Sequence, residues 1–100
     1  MELTIVISST TDPGIFEQFA VYPNPNNGQF VVRIVAPEAG NEPVVLRLVN
    51  ALGQVLIQQE HYLSNGELTI PVDQQHLAKG FYWVEIQSGR FSAGKKVVVE

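Results

Sequence analysis

The sequence predicts an all-β protein, an antiparallel β-sandwich of seven strands, and three observations support this prediction. Apolar and polar residues alternate with a period of two through most of the chain. Segments of this kind are short, and turn-forming residues separate them at regular intervals. Only one short stretch resembles a helix. Two stacked sheets are needed to bury this many apolar strand faces, because a lone hairpin sheet leaves them in water.

Size and composition define one domain and exclude several classes of protein. The 100 residues include ten acidic and six basic side chains, a formal net charge of -4, and no cysteine. This length suits a single domain. The lack of cysteine excludes disulfide frameworks and zinc–thiolate sites, and the acidic balance argues against a nucleic-acid partner. No apolar run reaches the ~18–20 residues of a membrane span, so we expect no membrane insertion.

Each predicted strand is bounded by a turn signal. The first strand ends at Pro23 because proline cannot donate to a ladder, and Asn27–Gly28 suits a turn with positive φ. Further along, Ser64–Gly66 is a hairpin signal. The predicted strands are Phe19–Tyr22, Gly28–Ala36, Val44–Asn50, Gln54–Leu63, Glu67–Val72, Phe81–Gln87 and Phe91–Glu100. Their inward positions are Phe30, Val32, Ile34, Leu46, Leu48, Leu68, Ile70, Val72, Tyr82, Val84 and Ile86.

Two segments fall outside this pattern. Asp73–Lys79 is the helical-looking stretch, about two turns at most, with Asp73 as a plausible N-cap and Gly80 as its terminator. At the other end, Glu2–Ser8 has the composition of a short β-branched strand, and Ser9–Gly14 follows it as a turn or linker. No N-terminal signal peptide is present, so an exported protein would need a signal outside these residues.

Residues suited to catalysis are sparse. The chain has two histidines, His61 and His76, and no G-x-S-x-G nucleophile motif, so hydrolysis is a weak hypothesis. Asp73 and His76 are too few for a catalytic zinc site, which takes three protein ligands. The asparagines at 24, 26 and 27 have no acid among them and are interpreted as turn-forming. We therefore expect no enzyme activity, no metal and no cofactor.

One strand carries a candidate contact surface. If Tyr82 faces the core, Phe81 and Trp83 lie on the outer face of the same strand. Two exposed aromatic side chains would suit a sugar or a protein ligand. The alternative is that a loop or the N-terminal segment covers them, and the sequence leaves both interpretations open.

Three motifs together resemble a known family. They are Val21–Phe30 with its Tyr22–Pro23–Asn24–Pro25 core and Gly28, Leu77–Ile86 with Gly80–Phe81–Tyr82, and Gly94–Glu100 with Lys95–Lys96. In this order they resemble the type A C-terminal sorting domain of the type IX (Por) secretion system, over about residues 14–100. The chain ends in Glu100, whereas many members end in a basic residue.

The resemblance implies both a fold and a role. The family's fold is a seven-stranded immunoglobulin-like β-sandwich, for which Greek-key connections are expected. Its members direct an attached cargo from the periplasm across the outer membrane to the cell surface or the medium, and a sortase-like peptidase then removes them. Residues 1–13 would then be the end of the cargo domain with its linker, and residues 14–100 the sorting domain. Glu2–Ser8, cut from its partner strands, would pair with another copy or fold back.

The resemblance also implies a set of recognition residues. Those expected to contact the translocon are Tyr22, Pro23, Asn24, Pro25, Gly28, Gly80, Tyr82, Lys95 and Lys96. Gly28, Gly80 and Tyr82 would equally suit a purely structural role. The alternative function is an immunoglobulin-like carbohydrate- or protein-binding adhesion module that uses Phe81 and Trp83.

Overall fold

Two antiparallel sheets form the fold in the computed structural model, which describes residues 14–100. The strands are β1 (Gln18–Tyr22), β2 (Gln29–Val35), β3 (Val44–Asn50), β4 (Val55–His61), β5 (Glu67–Asp73), β6 (Gly80–Ser88) and β7 (Phe91–Val99). One sheet has the order β1-β2-β5 and the other has the order β4-β3-β6-β7. The seven-stranded, immunoglobulin-like sandwich is therefore confirmed. Residues 1–13, with the predicted strand Glu2–Ser8 and its linker, lie outside the described residues.

The core lies between the two sheets and follows the predicted alternation. In β2, Phe30, Val32 and Ile34 are buried, whereas the residues between them are partly exposed. In β6, Tyr82, Val84 and Ile86 do the same from the facing sheet. Because side chains alternate between the two faces of a strand, each strand gives one apolar row to the core. Burial of these rows is the main source of stability.

The connections cross between sheets three times. β2 passes to β3, β4 to β5 and β5 to β6, while the remaining consecutive pairs are hairpins. As a result β5 returns beside β2, and β6 returns beside β3. These non-consecutive neighbours form the Greek-key pattern expected of such a sandwich.

The predicted helical turn at Asp73–Lys79 is wrong. Asp73 ends β5, and the backbone N–H of Leu77 donates to the Gln74 carbonyl in a single turn (3.1 Å). Asp73 does not act as an N-cap, because its carboxylate accepts a bond from the Gln75 side chain instead (3.1 Å). The N–H of Gln74 is bound to the carbonyl of Gly28 (2.8 Å), which fixes the connection to β2. A tertiary contact therefore overrides the local helical preference.

The hairpin signal at Ser64–Gly66 correctly predicts a turn, but the strands on either side of the turn do not pair with each other. Ser64 and Glu67 exchange two backbone hydrogen bonds around Asn65 and Gly66, as in a two-residue hairpin turn (2.9 and 3.0 Å). The flanking strands β4 and β5 nevertheless belong to different sheets. The residues of the turn set its local geometry, but the burial of the flanking side chains decides which strand each one pairs with.

Gly66 is the position where this turn allows no side chain. Its φ is +76°, and a Cβ would lie 2.8 Å from the Cα of Pro37. We expect Gly66→Ala to lower the free energy of unfolding by about 1–3 kcal/mol, measured by urea denaturation. The control is Gly40→Ala, because a Cβ there meets no atom within 4 Å. Its effect should stay within about 0.5 kcal/mol, and equal effects of the two substitutions would contradict this account.

Candidate functional site

The three sequence motifs meet at one corner of the sandwich. Antiparallel pairing of β6 with β7 places Gly80 opposite Val99 and Tyr82 opposite Val97. The loop between β1 and β2 lies along the other edge of β7, where Asn26 forms a parallel bridge with Val99. We call this region the motif corner and define it as residues 22–28, 80–82 and 95–100. Motifs more than fifty residues apart in the chain are therefore direct neighbours.

Asn24 binds the edge of β7 through its side chain. The amide Nδ2 donates to the carbonyl of Lys96 (2.9 Å), and Oδ1 accepts from the backbone N–H of Val98 (2.9 Å). An adjacent strand would offer β7 one donor and one acceptor at this position, and the carboxamide supplies the same pair. The side chain of Asn24 thus substitutes for a strand backbone at an edge that would otherwise be open.

Asn26 continues the same edge through its backbone. Its N–H donates to the carbonyl of Val98 (2.9 Å), and its carbonyl accepts from the N–H of Glu100 (2.8 Å). Its side chain closes the loop, because Nδ2 donates to the Pro23 carbonyl (3.0 Å) and Oδ1 accepts from the N–H of Gly28 (2.8 Å). Asn26 is only 8% exposed, and a buried polar side chain of this kind is tolerated because it is hydrogen-bonded.

Gly28 ends the loop in close contact with the β5–β6 connection. Its φ is +101°, and a Cβ would lie 2.3 Å from the carbonyl oxygen of Gln74. No L side chain fits at that distance, so the position requires glycine. The peptide bonds preceding Pro23 and Pro25 are both cis. Pro23, Asn24 and Pro25 are exposed, and the loop they form is held at both of its ends.

On the outer face of the four-stranded sheet, Lys96 covers Phe81. The Lys96 ammonium lies 4.0 Å from the centroid of the Phe81 ring, a cation–π contact. Phe81 is 54% exposed, whereas Trp83 is half-buried in register with Lys96. Both aromatic side chains lie on the outer face of β6, but Trp83 is less exposed than the sequence predicts. One face of the Phe81 ring is, however, already in contact with a cation.

The two lysines of the third motif differ in their surroundings. Lys96 contacts Phe81, but Lys95 lies opposite Val84, at a position in register with the core-facing side of the sheet. Lys95 is nevertheless exposed, because β7 is an edge strand. Within residues 14–100, the ion pair found is Arg33 with Glu67 (3.0 Å), and Lys95 has no such partner there. Lys95 thus offers a cation to the surface at this corner.

Burial divides the predicted recognition residues into two groups. Gly28 and Tyr82 are buried, and the Tyr82 hydroxyl donates to the Ala78 carbonyl (2.5 Å), so both support the corner from within. Gly80 is partly exposed where β6 begins. The exposed members are Tyr22, Pro23, Asn24, Pro25, Lys95 and Lys96. Contact of any of these residues with a translocon stays a prediction.

The sequence did not single out Asn26 or the backbone of Val98. The interpretation of the asparagines as turn-forming is correct for Asn26, whose Oδ1 accepts from the N–H of Gly28, and for Asn27, whose Oδ1 accepts from the N–H of Gln29 (3.2 Å). Asn24 instead reaches across to β7. The local sequence does not distinguish an asparagine that forms a turn from one that binds β7, because the partners of Asn24 in β7 lie more than seventy residues away.

Other candidate chemistry does not assemble in residues 14–100. No group of three or more histidine, cysteine, aspartate or glutamate side chains is placed to hold a metal there. His61 bonds the Gln59 side chain (2.9 Å), and Asp73 and His76 are exposed. No helix in this part of the chain is long and apolar enough to cross a membrane.

Fold and motif corner together define an immunoglobulin-like module with a structured C-terminal edge. A family model described as the secretion system C-terminal sorting domain matches residues 20–100. The match covers most of the chain, so the chain belongs to this family, the C-terminal sorting domains of type IX secretion. The domain is a sorting signal that interacts with the type IX machinery. Membership of this family implies that the protein is exported to the cell surface or the extracellular space. No curated protein matches the chain.

Asn24 should be needed to hold the C-terminal edge. We expect Asn24→Ala to lower the free energy of unfolding by about 1–2 kcal/mol because two hydrogen bonds are lost. Amide hydrogen exchange at Val98 should become faster, since this N–H loses its acceptor. Asn27→Ala in the same loop removes one local bond and should leave Val98 exchange unchanged. Unaltered exchange at Val98 in Asn24→Ala would refute the role of Asn24 as a strand substitute.

Proposed function

We propose that the type IX machinery recognises the motif corner as a folded surface and carries the attached cargo from the periplasm across the outer membrane. The domain acts as a signal and has no catalytic activity of its own. A sortase-like peptidase then cleaves the chain within Ser8–Gly14, upstream of β1, and frees the cargo. Family membership supports the sorting role.

The observation that carries this proposal is the hydrogen bonding between the first and third motifs. Asn24 and Asn26 satisfy the outer edge of β7 at Lys96, Val98 and Glu100. The backbone of the C-terminal peptide is therefore already paired, and a receptor cannot read it as an open strand without displacing the loop. The side chains that project from the corner remain available, with Tyr22 46% exposed and Lys95 exposed beside the loop.

The adhesion alternative has weaker support from the geometry. A sugar-binding platform needs an uncovered aromatic face, and Lys96 occupies one face of the Phe81 ring at 4.0 Å. Trp83 is half-buried and offers less surface than Phe81. This arrangement supports a structural role for the outer aromatic residues, in which Lys96 and Phe81 hold the end of β7 against β6.

A reporter fusion tests the proposal. Residues 1–100, which include the proposed cleavage segment Ser8–Gly14, would be attached to a fluorescent protein that carries an inner-membrane export signal, in a host with a working type IX system and in a translocon-deficient sibling. We expect reporter outside the first host only, and we expect its mass to have decreased by that of the sorting domain. Reporter retained in the periplasm of both hosts, with the domain folded, would contradict the proposal and favour the adhesion module.

Two substitutions test whether the type IX machinery recognises the charge at the motif corner or requires only that the domain is folded. Lys95→Glu reverses an exposed charge at the corner, and Arg90→Glu makes the same change in the β6–β7 turn at the opposite end of both strands. We expect Lys95→Glu to reduce exported reporter by about tenfold, on the scale of one lost charge contact. Arg90→Glu should export normally. Equal export of the two variants, both folded by circular dichroism, would show that the corner charge is not read.

A further inference from the structure

Each sheet has two edge strands, and natural proteins protect such edges against pairing with other chains. Here the edges are β1 and β5 in one sheet and β4 and β7 in the other. An edge strand presents a row of backbone donors and acceptors that another extended chain can bind. The four edges of this domain differ in how they are protected.

Three of these edges carry a recognisable protection. The C-terminal part of β7 is covered by Asn24 and Asn26. β5 has Pro71 at the middle of its pairing with β2, which removes a donor. β1 spans only five residues and ends at Tyr22, directly before Pro23. Each device blocks the addition of a further strand.

β4 has no covering loop within residues 14–100, and its register with β3 shifts at Leu48/Val49, so that Leu56 is skipped in the pairing. Its seven residues, Val55–His61, include no proline, lysine or arginine. Within residues 14–100, no strand or loop pairs with its far side. Apolar side chains are exposed along it, because Val55 is 52% and Leu56 is 43% exposed, and Tyr62 directly after it is 64% exposed. An edge strand with exposed apolar side chains and unpaired outer backbone groups is a site for strand addition.

We propose that β4 is a docking edge on which an extended segment of the secretion machinery adds a fifth strand to the four-stranded sheet. Backbone hydrogen bonds would supply most of the affinity, and the exposed side chains of β4 would supply specificity. The proposal rests on the proposed function, since it assigns a second contact to the same machinery. β4 lies at the opposite edge of its sheet from β7, so both contacts can form at once.

The charges on β4 define the chemistry of the partner. Glu60 is the one charged residue of β4 and is exposed, and the chain carries a formal net charge of -4. A complementary strand would place a lysine or arginine opposite Glu60 and apolar side chains against Val55 and Leu56. A second copy of this domain fits less well, because it brings another Glu60 and another net charge of -4 to the same edge.

The test compares two leucines in the reporter fusion. Leu56→Lys places a protective charge on β4, whereas Leu52→Lys makes the same change four residues earlier, in the β3–β4 turn, where Leu52 is 84% exposed. We expect Leu56→Lys to reduce exported reporter by about tenfold. Leu52→Lys should export within about twofold of the unsubstituted domain. Equal export of both variants overturns the docking edge.

Glu60→Lys gives an independent arm that does not depend on how Leu56→Lys folds. It reverses the charge on β4 and should reduce export, whereas Glu38→Lys, at an exposed site in the β2–β3 loop, should not. Equal export of these two variants overturns the charge complementarity and with it the proposed partner. Failure of the unsubstituted fusion to leave the periplasm would instead be a failure of the proposed function.

Light scattering after size-exclusion chromatography gives the oligomeric state of the domain and so tests whether a second copy occupies the β4 edge. We expect the purified domain to be monomeric at ~100 μM, a concentration at which weak strand pairing would be visible. A dimer that Leu56→Lys dissociates would assign β4 to a second copy and overturn the proposal. Removal of residues 1–13 supplies the remaining comparison. If Leu56→Lys reduces export only when these residues are present, the edge belongs to the chain's own N-terminal segment.

Discussion

Two donors and two acceptors on the outer edge of β7 are satisfied by Asn24 and Asn26. This hydrogen bonding is the constraint on which the motif corner depends, because it fixes the last residues of the chain against a loop that begins at Tyr22. An edge strand with unmet backbone groups would be frayed or would pair with other chains. Here the carboxamide of Asn24 and the backbone N–H and C=O of Asn26 replace a missing strand.

The sandwich brings these groups within reach of each other. Val97 and Val99 face the core while Lys96 and Val98 face outward, so burial of one side of β7 sets the position of its backbone edge. Gly28 then fixes the loop against Gln74, and the Tyr82 hydroxyl fixes the start of β6 against Ala78. Apolar burial supplies most of the stability. The polar contacts determine which arrangement of the corner is adopted.

A sorting signal needs a stable fold and a specific surface, and different residues of the motifs provide the two. Buried members of the motifs hold the backbone, and exposed members project from it. The proposed docking edge would add a second contact with the same machinery. Three of the sheet edges are closed by a loop, a proline or a short strand, and no segment within residues 14–100 pairs with the outer backbone groups of β4.

The sequence by itself determined the strands, the inward rows and the position of Phe81 and Trp83, because alternation with a period of two is local. It also carried the three motifs, whose order identified the family. Only the tertiary structure decided that Asp73–Lys79 is not helical, that the Ser64–Gly66 turn joins two different sheets, and that Asn24 binds β7. The physical reason is the same in each case. These outcomes depend on hydrogen-bond partners and buried surfaces that lie far away in the chain, and no local pattern contains them.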